Sequence, residues 1–174
     1  KALVEMWGLA KEAANSKNQD TTIRERILRY FESTFTPVIE GILTDNDLGF
    51  TTIKELIDGY ESETGELEGG IRSHNDSSAI RGQAARHLES TPDHPGLLFL
   101  RSLSEVFCQD YDPKAVTGNF FAALDSLQTR YQAEPSQLEE FLVWLLAKFQ
   151  QRDASIYEEC VLRALERSDG LSLS

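Results

Sequence analysis

The chain has 174 residues, 40% of them hydrophobic and 26% charged, which suits one globular domain and argues against a disordered chain. Its 29 acidic residues outnumber 17 basic ones, and the resulting net charge of -12 disfavours general binding to a nucleic-acid backbone. No apolar run approaches the roughly 20 residues of a membrane span, and no signal peptide is visible. We therefore expect a cytoplasmic protein that does not enter the membrane.

The first 60 residues are predicted to form an N-terminal group of four short helices. Apolar residues recur at helical spacing from Leu3 to Ala14 and again from Thr22 to Phe31. Pro37 opens the third helix, because proline at the first helical position lacks only an N–H that would be unpaired anyway. Thr52, followed by glutamate three residues later, has the spacing of a capping box and opens the fourth.

Residues 61–78 are predicted to connect this group to the rest of the chain. The segment is rich in glutamate and glycine and has no periodic apolar face. Such a composition buries too little apolar area to offset the entropy of ordering, so we expect a flexible surface connector. The alternative is a binding loop that becomes ordered on its partner.

Residues 79–168 are predicted to form a second group, built from helical hairpins. Short turns containing proline separate the apolar stripes, and helices begin at Pro113 and Pro135 and after the capping residue Asp153. The tail, residues 169–174, is expected to fray. The residues predicted to face inward on the last helix are Ile156, Tyr157, Cys160, Val161, Ala164 and Leu165.

The expected fold class is all-α, with eight or nine short amphipathic helices, because the apolar faces recur near 3.6 residues. The hairpins would form either a solenoid-like stack or an irregular bundle. Pro92 and Pro135 lie 43 residues apart, but no small-residue pattern recurs around both turns. True repeats therefore remain an open alternative.

No complete catalytic, metal-binding or phosphate-binding pattern is present. The three histidines are not accompanied by paired cysteines, and the segment from Asp45 to Gly49 lacks the glycine and glutamate positions of a calcium loop. Cys108 and Cys160 lie in apolar stripes, which predicts buried reduced thiols, with one long-range disulfide as the alternative. We expect no cofactor and no enzyme activity; an enzyme with a noncontiguous carboxylate site is the least favoured reading.

One short segment carries a family resemblance. The run from Ile23 to Glu32, a basic and leucine-containing stretch with Tyr30-Phe31 near its end, resembles the helix that follows the motor core in RecQ-like DNA helicases. About ten residues are involved. In that family the segment lies among four zinc-binding cysteines, whereas no cysteine precedes Cys108 here, so zinc binding does not carry over. The resemblance implies a helical region accessory to a helicase or another ATPase motor.

These observations lead us to expect a non-catalytic interaction or regulatory module of a larger protein. The alternative is a free-standing, solenoid-like adaptor that binds a peptide or helix in a groove. The candidate partner-binding residues are Trp7, Trp144, Arg24, Arg26 and Arg29. An acidic domain should favour a basic or amphipathic protein segment, in a partner protein or a neighbouring domain, and salt should weaken that association. Direct binding of nucleic acid through the three arginines is the less favoured alternative.

Overall fold

The structure is a computed structural model, and it describes residues 35–64 and 71–173. All regular structure in these two ranges is helical, which confirms the predicted all-α class. The two helices predicted before residue 35 lie outside the described ranges. The seven helices that are described are α1 (35–44), α2 (Phe50–Thr64), α3 (Ile71–Leu88), α4 (Pro95–Val106), α5 (Pro113–Thr129), α6 (Pro135–Arg152) and α7 (Ala154–Glu166).

Proline and aspartate mark several helix starts, as predicted. Helices α5 and α6 begin at Pro113 and Pro135. Asp112 caps α5 by accepting a hydrogen bond from the backbone N–H of Lys114 at 3.0 Å, and the Asp153 carboxylate accepts from the first N–H groups of α7. These caps satisfy donors that have no partner within their helix.

Helix α2 begins differently from the prediction. Its first residue is Phe50 rather than Thr52, and its first two N–H groups donate to Asp47, that of Phe50 to the backbone carbonyl at 3.2 Å and that of Thr51 to the carboxylate. The Asp47 carboxylate accepts from the N–H of Gly49 at 3.1 Å and from the N–H of Thr51 at 3.0 Å. Gly49 has φ +83°, a left-handed conformation that glycine adopts without strain. The turn before the helix therefore provides the cap that we had assigned to a capping box.

Both ends of the predicted connector, residues 61–78, differ from the flexible loop that we expected. Helix α2 continues to Thr64 and α3 begins at Ile71, so both ends of the segment are helical. No proline interrupts residues 71–78, and extending a helix adds one hydrogen bond for each residue that is ordered. A helix can therefore extend into residues that have no apolar face, as α2 and α3 do here.

Helix α4 forms the centre of the fold. Eleven of its twelve residues are buried, because α2, α3, α5 and α6 all pack against it. Described residues from both predicted groups share this core, in which Phe99 contacts the rings of Phe50, Phe120 and Phe141. In a solenoid each hairpin contacts only its neighbours in sequence. A central helix with four neighbours makes this an irregular bundle.

Residues 169–173, which belong to the stretch that we expected to fray, pack against the fold. Leu171 is 7% exposed, and Leu173 packs against the edge of the core. The N–H of Leu173 donates to the carbonyl of Ser168 at 2.9 Å. The tail is ordered because its two leucines bury apolar surface and its backbone closes hydrogen-bonded turns.

Candidate protein-interaction site

Large apolar side chains are exposed at three positions in the described ranges, and all three lie on the last two helices. Val143 of α6 is 65% exposed, and Leu162 and Leu165 of α7 are 63% and 64% exposed. A single exposed apolar residue is common on protein surfaces, whereas several on one hairpin indicate an interaction surface. Within the part of the chain that the structure describes, the large exposed apolar side chains therefore lie on the α6–α7 hairpin.

The exposure of these leucines follows from the way α7 is packed. Its buried residues, Ile156, Cys160 and Ala164, recur every fourth position and form one narrow stripe against the core. Leu162 and Leu165 lie on the far side of the helix, about half a turn away. Leu165 was predicted to face inward, and that prediction is wrong. Among the described helices α7 packs mainly against α5 and α6, and the exposure of Leu162 and Leu165 shows that its outer side is left uncovered.

Carboxylates flank the exposed leucines. Glu158 precedes Leu162 by one turn and Glu166 follows it by one turn, so all three side chains share one face. Glu159 lies beside them, three positions before Leu162. We call this surface the α7 ridge: the exposed side chains of Glu158, Glu159, Leu162, Leu165 and Glu166.

The carboxylates of the ridge differ in their partners. Glu166 accepts from the guanidinium of Arg163 at 3.2 Å, and Arg163 also lies 5.0 Å from the centre of the Phe121 ring. Glu158 and Glu159 are exposed and form no ion pair with the side chains described here. Arg163 is the one basic residue of α7, so the ridge carries net negative charge.

Polar contacts fix the start of α7 on the rest of the fold. The hydroxyl of Tyr111 donates to the Asp153 carboxylate at 2.7 Å, and the side chain of Arg152 donates to the carbonyl of Val106 at 3.1 Å. The hydrogen bond from Tyr111, with those from the first N–H groups of the helix, lowers the pKa of the Asp153 carboxyl. The ridge is thus presented on a helix whose N-terminus is anchored to the α4–α5 turn.

Trp144, one of the predicted partner-binding residues, belongs to α6, and its side chain faces α2. Its ring is half-buried beside Phe141, with the centroids 5.7 Å apart. Its Nε1 donates to the Asp58 carboxylate at 3.2 Å, and the amine of Lys148 lies 5.6 Å from the ring centre. These contacts are those of a residue that packs two helices together. A role for Trp144 in binding a partner stays a prediction.

The other predicted site residues lie outside the described ranges. They are Trp7, Arg24, Arg26 and Arg29, and the segment that resembles RecQ-like helicases, residues 23–32, lies there too. The exposed residues Leu162, on the ridge, and Val143, on α6, had not been singled out from the sequence. Their signal was present, because both are apolar residues out of phase with the buried stripe of their helix.

A partly buried ion pair joins α3 to α4. Glu105 is 7% exposed, and both of its carboxylate oxygens accept from the guanidinium of Arg81, at 3.1 and 3.2 Å. The same carboxylate accepts from the N–H of Asp112 at 3.0 Å. Because each group is paired within the fold, this cluster fixes the α4–α5 turn and offers no unsatisfied group to a ligand.

The two cysteines are free and buried, as predicted. Burial raises the pKa of the Cys160 thiol to about 12 and also raises the pKa of Cys108. A thiol with a raised pKa is protonated at neutral pH, and the thiolate is the reactive form. Both residues are therefore small core side chains.

A cleft of about 410 Å³ lies between the end of α5, the start of α6 and the tail. Its polar side chains are largely engaged within the fold. Arg130 pairs with the Asp93 carboxylate, and Gln128 accepts from the guanidinium of Arg167. The cleft marks where the tail docks and is a weaker candidate for a partner site than the α7 ridge.

No three His, Cys, Asp or Glu side chains within residues 35–64 and 71–173 are grouped so that they could hold a metal ion. None of the helices in those ranges combines the length and apolar character needed to cross a membrane. Compared with models of protein families, with curated proteins and with solved structures, the chain matches none. What the α7 ridge can bind follows from its own exposure, charge and support.

Proposed function

We propose that this chain is a non-catalytic interaction or regulatory module that docks a protein segment on the α7 ridge. The observation that carries the proposal is the exposure of Leu162 and Leu165 on one face of a helix whose opposite face is in the core. Burying exposed leucines against a partner stabilises the complex by about 25 cal/mol for each Å² of apolar surface removed from water. The ridge therefore favours association with an apolar partner surface.

The support of the ridge favours the same function. Asp153 caps α7 and binds Tyr111, and the buried stripe of α7 holds the helix against α5 and α6. A surface on a fixed helix needs little reordering on binding, so less of the interaction free energy is lost. Rigid presentation of a short apolar surface suits a docking face.

Two settings are consistent with a docking face. In the first, the chain is part of a larger protein and the ridge binds a neighbouring segment of the same polypeptide. The helicase resemblance of residues 23–32 leads us to propose a nucleic-acid motor as that larger protein. In the second, the chain is an adaptor that binds a separate protein. A measurable turnover by the isolated chain would contradict both.

Site-specific photo-crosslinking in the cells that make the protein tests the proposal. A photoreactive phenylalanine derivative replaces Leu165 on the ridge, and a control places it at Glu55, an exposed position on α2. We expect a defined crosslinked segment, identified by mass spectrometry, from position 165 and not from position 55. The same products from both positions, or none from 165, would overturn the proposal.

The identity of the product separates the two settings. A crosslink to another segment of the same polypeptide supports a module within a larger protein, and a helicase core in that polypeptide supports the motor. A crosslink to a separate protein supports the adaptor. In either case, adding Leu162→Ser should abolish the product, because it removes the neighbouring apolar contact without burying a new group.

A further inference from the structure

We infer that the occupant of the α7 ridge is a basic amphipathic helix, with apolar residues on one face and lysine or arginine at the flanks of that face. This inference rests on the proposed docking function and names the chemistry of the partner. It is drawn from the spacing of the leucines, the charges beside them and the helical nature of the surface.

The leucine spacing specifies an apolar stripe on the partner. Leu162 and Leu165 are three residues apart, so their side chains form a short ridge along one side of α7. Such ridges pack into the grooves between side chains of a second helix. The thirteen residues of α7 extend over about 20 Å, which a partner of three or four helical turns would match.

The flanking charges specify the polar residues of the partner. Glu158 and Glu159 are exposed on α7, and the ion pair from Arg163 to Glu166 leaves the ridge with a net negative charge. Lysine or arginine beside the apolar stripe of the partner would lie opposite these carboxylates. Charge complementarity of this kind selects partners and accelerates their encounter.

The same charges disfavour two other occupants. A second copy of the chain, docked through the same ridge, would bring Glu158 and Glu159 close to identical carboxylates. Duplex DNA would bring phosphates against them, and the whole chain carries a net charge of -12. Like charges brought together at an interface act against that partner.

A helix suits this surface better than an extended strand. Binding by strand addition needs an exposed sheet edge, and every regular element in residues 35–64 and 71–173 is helical. A partner helix satisfies its own backbone hydrogen bonds and needs only side-chain contact. The ridge provides that contact through two leucines on a fixed helix.

The inference is tested with two synthetic stapled helices about four turns long. Both carry leucine at positions i, i+3, i+4 and i+7; one has lysine at the flanking positions and the other has glutamate. Binding to the full chain is measured by fluorescence anisotropy at low and high ionic strength, and the contact is mapped by NMR chemical-shift changes. We expect the lysine peptide to bind at α7, more weakly in high salt, and the glutamate peptide to bind at least about tenfold more weakly.

Paired variants separate local recognition from general attraction to an acidic protein. Glu158→Lys with Glu159→Lys should weaken binding of the lysine peptide about tenfold. Glu55→Lys with Glu89→Lys makes the same change in net charge at exposed positions of the chain away from the ridge, and should change binding less than about twofold. Leu162→Ser with Leu165→Ser should also reduce binding at least about tenfold, with an unchanged circular dichroism spectrum confirming the fold.

Several results would overturn the inference. They are equal binding of the two peptides, equal effects of the two charge-reversal pairs, shift changes away from α7, or a dimer in sedimentation that the serine variants dissociate. If photo-crosslinking at position 165 still captures a defined segment and the lysine peptide does not bind there, the docking function stands and the basic partner is wrong. If both experiments fail, the docking function itself is contradicted.

Discussion

His94 shows how a buried polar residue is used at the scale of single residues. It precedes α4, is 5% exposed, and its Nδ1 accepts a hydrogen bond from the N–H of Leu97 at 3.3 Å. Its ring packs edge-on against Tyr131, with centroids 5.5 Å apart. His94 lies between Pro92 and Pro95 in the sequence, and its side chain is the N-cap of α4. Nitrogen can accept only when it is unprotonated, so the folded protein holds His94 in its neutral form.

We expect this residue to make the fold sensitive to mild acid. Burial lowers the pKa of His94 in the folded protein, and the nearby Asp93 opposes that effect. As the pH falls below about 6.5, the unfolded chain binds a proton at this histidine before the folded chain does. The free energy of unfolding therefore falls, by at most about 1.4 kcal/mol for each pH unit, until the pH passes the folded pKa.

His94→Asn provides the matched variant for this measurement, because asparagine can accept the same backbone hydrogen bond and does not titrate. Urea unfolding of both proteins at pH 7.5 and at pH 5.5 should show a smaller pH dependence in the variant. The other histidines are common to both proteins and cancel in the comparison. An equal pH dependence of the two proteins would show that His94 does not titrate differently on folding.

At the scale of elements, the start of α4 is pressed against the turn between α1 and α2. A Cβ atom on Gly96 would overlap the carbonyl oxygen of Leu48 and approach Ile42 to 3.1 Å. Gly118 is also in a helix, but it is exposed and a Cβ there would meet nothing within 4 Å. The two glycines therefore occupy similar backbones with opposite surroundings.

Alanine at these two positions should change stability in opposite directions. Gly96→Ala should lower the free energy of unfolding by about 1–3 kcal/mol, because α4 must move away from the backbone of Leu48. Gly118→Ala should raise it by about 0.5–1 kcal/mol, since alanine restricts the unfolded chain and favours the helix. Chemical denaturation of both variants measures the difference. If Gly96→Ala is as stable as the starting protein, the close contact with Leu48 is wrong.

The elements also show which signals in the sequence are local. The starts of α5, α6 and α7 were predicted because proline and aspartate act on the backbone next to them. The start of α2 was misassigned because two caps competed within a few residues, and Asp47 rather than Thr52 met the N–H groups. Leu165 was misplaced because an apolar residue at the margin of a stripe is buried only if a neighbouring helix covers it.

At the scale of the whole molecule, Phe99 of α4 contacts side chains from three other helices. It is fully buried in α4, and its ring centroid lies 6.1 Å from that of Phe50, 5.7 Å from Phe120 and 5.3 Å from Phe141. These partners belong to α2, α5 and α6. Aromatic pairs at such distances add to the stabilisation from burial alone.

Phe99→Ala should therefore be among the costliest single substitutions, with a loss of about 3–5 kcal/mol in the free energy of unfolding. Phe121→Ala is the comparison, because Phe121 is half-buried at the edge of the core and should cost closer to about 1 kcal/mol. Equilibrium unfolding in guanidinium chloride measures both. Similar losses for the two variants would contradict the central position of Phe99.

By itself, the sequence determined the helical class, the position of most helices and the burial of the two cysteines. These properties depend on periodicity and capping, which act between residues a few positions apart. Only the tertiary structure decided that α4 lies at the centre, that Glu105 pairs with Arg81, that Leu171 secures the tail and that Leu162 and Leu165 remain uncovered. Each of these depends on which distant segments pack together, and the α7 ridge in particular exists because α5 and α6 cover one side of α7 and leave the other to solvent.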